Sequence, residues 1–375
     1  MPADAAHGRA YDQAMWPDRR LLDLLNIEHP IIQAPMAGAQ DWELAAAVAE
    51  AGGLGSLPCA MLGADKVREE AGKIRARTRK PFSLNFFCHK PPRADNAREA
   101  AWRDRLAPYY REFGIDPNAP SKAAARTPFD AALCDAVVEI KPNVASFHFG
   151  LPEGALLKRV KDAGCVVLAS ATTVAEARWL AAHGADAVIA QGVEAGGHRG
   201  IFLGEDISTQ VGTMALVPQV ADAVKLPVIA AGGIADARGI AAAFALGAAG
   251  AQIGSAFLHC PEAKISAPHR AALKSAHDDG TALTNLITGR PARGFVTRLM
   301  REQGPMSDMA PEFPRAALAL APLRAKAEAE GKGDFSPLWS GEAAALGREL
   351  PAGEVVRRLA QESLARMREI SQAAK

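Results

Sequence analysis

A histidine directly behind two glycines is the first group in this chain with distinctive chemistry. The stretch "QGVEAGGHRG" (191–200) puts His198 just past the short apolar run "ADAVIA" (185–190). Imidazole takes or gives a proton near neutral pH, and glycines let the backbone approach a ligand closely. His198 is therefore the candidate catalytic group. Other polar groups recur at the ends of apolar runs: the neutral amides Asn85 and Gln191, and His148 in "VASFHFG". Two loops, "AAGGIAD" with Gly232 and Gly233 and "GAQIGS" with Gly254 and Ser255, each offer backbone N–H groups just before a helical pattern. A glycine loop at a helix N-terminus can hold a phosphate.

The elements that must position these groups are short apolar runs: 31–35, 53–58, 82–87, 144–150, 165–170, 185–190, 227–233 and 250–255. Between them lie Ala-rich amphipathic segments such as "DWELAAAVAEAG" (41–52), "TVAEARWLAAHG" (173–184) and "DARGIAAAFALG" (236–247). Each opens on Asp or Thr and stops at Gly, as capped helices do. Eight strands alternating with helices predict a closed α/β (β/α)8 TIM barrel, with an open doubly wound sheet as the competing architecture. The barrel is expected over 1–262. A Pro- and charge-rich helical insertion (about 90–126) separates strands three and four, and a C-terminal helical region (263–375) packs over the barrel mouth.

Composition narrows the classes of function. Hydrophobic residues make up 49% and charged residues 23%, with a net charge of +1, so no global field points to nucleic acid or a membrane surface. The opening "MPADAAHGRAYDQAMW" lacks the apolar core of a signal peptide. Five widely spaced cysteines without a CxxC pair fit a reducing compartment, and the chain is expected to be cytoplasmic. Its oligomeric state is not readable. No His/Asp/Glu cluster has metal-ligand spacing, and P-loop, strand-bound GxGxxG and GxSxG signatures are missing. The paired Cys88-His89 is adjacency rather than a nucleophile–base geometry. Lys141 reads as a surface base within possible reach of a phosphate, and His183 as a helix C-terminal contact.

In a barrel the reactive groups stand at the carboxyl ends of the strands. Here those ends read Pro35-Met36-Ala37-Gly38, Asn85, His148, Ser170-Ala171-Thr172, Gln191 to His198, Gly232-Gly233 and Gly254-Ser255. Neutral amides can hydrogen-bond a flat heterocycle without charging it, and flavin mononucleotide (FMN) combines such a ring with one phosphate. His148 faces either the mouth or the core, because strand side chains alternate.

The order "IIQAPMAG", "SLNFF", "VASFHFG", "QGVEAGGHRG", "AAGGIAD", "GAQIGSAFL", then "LITGRPARG" and "FSPLWSGEAAAL", resembles the nitronate monooxygenases, formerly called 2-nitropropane dioxygenases. The resemblance implies an FMN-dependent barrel that oxidises alkyl nitronates with O2 to carbonyl compounds and nitrite, with propionate 3-nitronate and nitroalkanes in its range. It implies FMN contacts from Asn85, Gln191 and Gly196, with Gly197 beside it, and from Pro35, Met36 and Ala37. Gly232, Gly233 and the run Gln252, Ile253, Gly254 and Ser255 would hold the ring edge and phosphate. His198 matches the family's catalytic histidine; His148, by its place at a strand end, either stands behind the site or faces the substrate side. The rival is an FMN-dependent NAD(P)H:quinone or enoyl-acyl carrier protein reductase of the same superfamily. In the tail, Phe335, Leu338 and Trp339 form either a hydrophobic lid over the mouth or a staple on a helix capped by Ser340.

Overall fold

The computed structural model describes residues 16–116 and 126–373. The opening read above as lacking a signal peptide and part of the charged insertion lie largely outside the described residues. Every expected apolar run contains a strand. These are β1 (Ile31–Gln33), β2 (Gly55–Pro58), β3 (Phe82–Phe87), β4 (Val144–His148), β5 (Val166–Ala171) and β6 (Ala187–Gln191). A two-residue strand β7 (Gly197–His198) precedes β8 (Val228–Ala231) and β9 (Gly250–Ile253). Eight of them pair in parallel in the order β1-β9-β8-β6-β5-β4-β3-β2, and Ile32 bridges Leu54 to join the two ends. The sheet closes, so no strand edge is left exposed.

Parallel strands covered on both faces need apolar residues without alternation. "FSLNFF" meets that demand, with all six residues buried. The helices between strands start where the sequence predicts. Asp41, Thr173 and Asp236 each accept a hydrogen bond from an amide of the first turn, a cap worth about 0.5–2 kcal/mol.

Two expectations for the C-terminal region need correction. First, the helix Ala352–Ala373 does not lie over the mouth. It packs on the outer helices Trp42–Glu50 and Ala237–Ala245 and buries Val355, Val356, Leu359 and Leu364 in the same core as the barrel strands. The boundary expected at 262 therefore does not separate two packing units. Second, the region is not wholly helical. Strands β10 (Thr281–Thr284) and β11 (Ala292–Phe295) form an antiparallel pair that takes in β7 as its third strand. Neither segment carries an apolar run, so pairing partners rather than local pattern make them strands.

Helix Asn96–Glu112 packs on helix Ala316–Ala329, and Trp102, Leu106 and Tyr110 share a second core with Leu320, Leu323 and Phe335. Trp339 of the tail packs against this second core. Among the described residues, no helix is long and apolar enough to cross a membrane.

Candidate active site

The carboxyl ends of the strands and the segments 265–269 and 336–343 enclose one large cavity. Pro35, Met36, Ala37, Asn85, Gln191, Gly196, Gly197, Gly232, Gly233, Gln252, Gly254 and Ser255 all line it, as do His148 and His198. Ile253 is the exception: it is buried in the barrel core instead. The reason is strand alternation, since Gln252 turns toward the cavity and its neighbour must turn away. Lys141 is exposed and ends the helix before β4 in a left-handed conformation, away from the cavity. His183 hydrogen-bonds the Trp179 carbonyl through Nδ1 at 2.7 Å and stacks on the indole, as a helix C-terminal contact should. Burial pushes the Cys88 thiol well above its ordinary value, which removes it as a nucleophile.

His198 does not sit on a loose glycine turn. Its backbone pairs with Ala292 in the three-stranded sheet, and its side chain is surrounded by aromatic rings, with Phe313 at 5.2 Å and Trp339 at 5.5 Å between centroids. The glycines before it have separate tasks. A Cβ on Gly196 would come within 2.5 Å of the Gly341 nitrogen, so only glycine lets segment 340–341 pass. Gly197 has φ +73, a left-handed conformation, and a side chain there would meet nothing within 4 Å.

One ring nitrogen of His198 is engaged by a hydroxyl. His198 Nε2 lies 2.8 Å from Thr288 Oγ1, and the Thr288 hydroxyl donates to the Arg290 carbonyl at 3.4 Å. With the hydroxyl proton on that carbonyl, the oxygen accepts from Nε2–H and the lone pair falls on Nδ1. Burial, and then the charges of Arg126 and Arg290, hold His198 well below its ordinary value. At neutral pH it is an uncharged base.

His148 fits the first of its two readings, a support behind the site. Its Nε2 faces the His198 carbonyl at 3.1 Å and must donate, so Nδ1 accepts from the Ser170 hydroxyl at 3.0 Å. Both ring nitrogens are engaged, and burial pushes the ring down to about 3. Gln191 reinforces the same loop, donating from Nε2 to the His198 carbonyl at 3.0 Å and accepting from the Gly200 amide at 2.7 Å. Asn85 donates to Ser146 Oγ at 2.9 Å, which directs its amide nitrogen into the strand and leaves the carbonyl oxygen as the end available to a ligand.

Sequence reasoning missed several residues here. Arg199, fully buried, donates to the carbonyls of Gly192 and Gln191 at 2.6 and 2.7 Å and pins the histidine loop to the end of β6. Its signal was available, as an arginine immediately after the histidine. Thr288 and Arg290 lie in "LITGRPARG", quoted only as part of a resemblance. Arg126 lines the cavity from the far end of the charged insertion, and nothing local marks it. The tail resolves in a mixed way. Ser336, Pro337, Leu338 and Trp339 line the cavity, whereas Phe335 packs on Tyr109 at 5.1 Å in the second core. No helix begins at Ser340; a single 3-10 turn follows at Ala344–Leu346, so the staple does not form.

Two histidines held neutral at the cavity make stability depend on pH. His148 and His198 have folded values depressed below their ordinary 6.5. The unfolded chain therefore binds more protons below pH 6.5, and stability falls as pH falls, by about 1.4 kcal/mol per pH unit for each such group. The loss begins near pH 6.5 and continues, for His148, to about 3. Thermal melts between pH 8 and pH 5 should show a falling Tm below pH 6.5 that is partly relieved in His148→Gln. A flat profile would mean that the rings take up protons freely.

Comparison with known proteins agrees with this geometry. The family model for nitronate monooxygenase matches residues 18–362. The chain is 45% identical over 345 residues to a nitronate monooxygenase of Pseudomonas aeruginosa, covering 92% of this chain and 98% of that one. It is also 45% identical over 348 residues to a nitronate monooxygenase of Paraburkholderia phytofirmans, covering 92% and 94% respectively. Among solved structures, a nitroalkane oxidase from Streptomyces ansochromogenes superposes with a TM-score of 0.84 at 40% identity, over 94% of this chain and 99% of that one. FabK from Thermotoga maritima follows at 0.72 and 30%, over 94% and 98%. A neutral histidine held at the mouth of a closed barrel, matched along nearly the whole chain, places this protein in the nitronate monooxygenase family.

Proposed function

We propose that the chain binds FMN in the barrel mouth and oxidises alkyl nitronates with O2 to carbonyl compounds and nitrite, propionate 3-nitronate being within its range. The observation that carries this reading is the pairing of an uncharged His198, held against the Thr288 hydroxyl, with a glycine-lined cavity at the strand ends. The residues present fit the cofactor. The backbone N–H groups of Gly233 and Gly254 donate to no backbone carbonyl among the described residues, so both are free for a phosphate. Asn85 offers a carbonyl oxygen and Gln252 a side-chain amide to a heterocycle, and Pro35, Met36 and Ala37 supply an apolar wall. When bound, FMN supplies the electron acceptance that side chains cannot.

The chain's own groups then divide the work. A nitronate is already an anion, and His198 orients it. A neutral nitroalkane must lose a proton from its α-carbon, and Nδ1 of His198 is the base that takes it. Trp339 and Leu338 cover the cavity and keep water from the reacting atoms.

A second reading is supported by the FabK likeness: an FMN-dependent reductase that draws electrons from NAD(P)H. One experiment separates the two. The purified protein is expected to be yellow and to release FMN, not FAD, on denaturation, because the cavity has one phosphate site and no adenine-binding motif. Mixed anaerobically, it should lose its flavin colour with a nitronate and keep it with NADH. The reverse pattern would sink the oxidase reading, and FAD in the supernatant would sink the FMN assignment.

A further inference from the structure

We propose that Arg126 is the substrate-binding residue that grips the negatively charged oxygens of the nitronate beside His198. Arg126 and His198 line the same cavity and flank the same ring: the Arg126 guanidinium lies 5.9 Å from the centre of Phe313, and His198 lies 5.2 Å from it.

What sets Arg126 apart is the company it keeps. The neighbouring group with the strongest electrostatic influence on it is another cation, Arg324, and burial and that repulsion both act against its charge. The nearby acids are already committed. Glu328 pairs with Arg324 at 2.9 Å and accepts from Ser336 Oγ at 2.7 Å. Glu194 caps Thr213, accepting from its amide and its hydroxyl at 2.8 Å. Arg290, the other cation near His198, lies over Phe149 at 4.0 Å and donates to the Ile201 carbonyl. Among the described residues no ion pair reaches the Arg126 guanidinium. A charge withdrawn from water without a counter-charge is costly, and an anion entering the cavity relieves that cost.

The shape of the substrate suits the site. A nitronate presents two coplanar oxygens that share a negative charge, and a guanidinium presents two parallel N–H donors. A neutral nitroalkane has the same two oxygens without the net charge, so Arg126 discriminates between the two. Removing the α-proton creates the anion that Arg126 stabilises, which makes the task of His198 easier.

This inference rests on the reading that the cavity takes nitronates, and the test keeps the two apart. In the FMN-loaded protein, Arg126→Gln should raise the KM for a preformed nitronate roughly 10- to 100-fold, the range of a charge-assisted hydrogen bond. The value of kcat should fall far less than KM rises. Arg126→Lys, which keeps the charge but loses the fork, should recover part of the loss. Inorganic nitrate, a planar oxyanion, should bind the wild type and perturb its flavin spectrum, and bind the glutamine variant at least tenfold more weakly. An unchanged nitronate KM and nitrate affinity in a flavin-replete glutamine variant would overturn the proposal. So would a fall in kcat on the nitronate as large as the rise in KM, which would signal distortion of the cavity. Should the glutamine variant lose its flavin, the lysine variant decides by the same two measurements. If the wild type oxidised no nitronate, the substrate reading would fall, and nitrate affinity alone would decide the role of Arg126.

Discussion

His198→Asn should reduce turnover of neutral nitroalkanes by roughly two to four powers of ten, the usual contribution of a positioned general base. Preformed nitronates should suffer less, because losing one orienting hydrogen bond to an anion costs about 1.5–3 kcal/mol. The substitution is suited to separating these effects. His198 is held by main-chain pairing with Ala292, which any residue can make. The surrounding rings of Phe87, Phe149, Phe313 and Trp339 stay in place to limit collapse. Steady-state rates on the same compound, supplied once as nitroalkane and once as nitronate, measure the split. Equal losses on both forms would show that His198 positions the substrate and removes no proton.

The tautomer sharpens this expectation. If Nε2–H is committed to Thr288, the base is Nδ1, and its basicity is set by burial and by the cations around it. An imidazole held well below 6.5 is ready to accept a proton across the whole neutral range. Loss of nitroalkane activity on the acid side should therefore begin well below pH 6.5. The same depression weakens the base, so proton removal depends on stabilising the carbanion product. The proposed grip of Arg126 on the nitronate oxygens would provide that stabilisation.

The barrel was legible in the sequence because burial on both faces forces each strand to be a short apolar run, and closure repeats that demand eight times. The capped helices were legible because Asp41, Thr173 and Asp236 are local signals that depend on no distant contact. The cavity residues followed from topology: in a barrel, whatever ends a strand faces the mouth. Ile253 failed that rule because a run of four consecutive residues at a strand end cannot all point one way.

The parts that escaped are those fixed by contacts distant in sequence. Helix Ala352–Ala373 returns to the outer ring after a long excursion, and nothing at residue 262 announces the return. Gly197 and His198 become a strand only because Ala292 and Arg293 lie beside them. Arg126 is one more charge in a charged insertion until the fold carries it to the cavity, where no ion pair reaches it among the described residues. Sequence pattern finds the scaffold; electrostatic imbalance is visible only once the chain has folded.

Gly233→Asp should abolish retention of FMN. Gly233 has φ +68, and its ideal Cβ would lie 3.5 Å from Glu194 Cβ, an ordinary contact. Alanine therefore fits by space, at a backbone cost of about 1–2 kcal/mol for the left-handed conformation. Aspartate adds a carboxylate beside Glu194, whose own carboxylate is fixed on Thr213 and cannot turn away. The new charge also faces the site proposed for the phosphate. Two like charges about 4 Å apart repel by about 4 kcal/mol at an effective dielectric constant near 20, close to a thousandfold in affinity. The comparison of Gly233→Ala with Gly233→Asp isolates charge from backbone strain. The flavin-to-protein ratio after purification, and the Kd on reconstitution with FMN, should stay near wild type for alanine and collapse for aspartate. Loss in both variants would assign the effect to the backbone. Full flavin in the aspartate variant would mean that the phosphate is held elsewhere, and the Gly254-Ser255 turn would be the place to look.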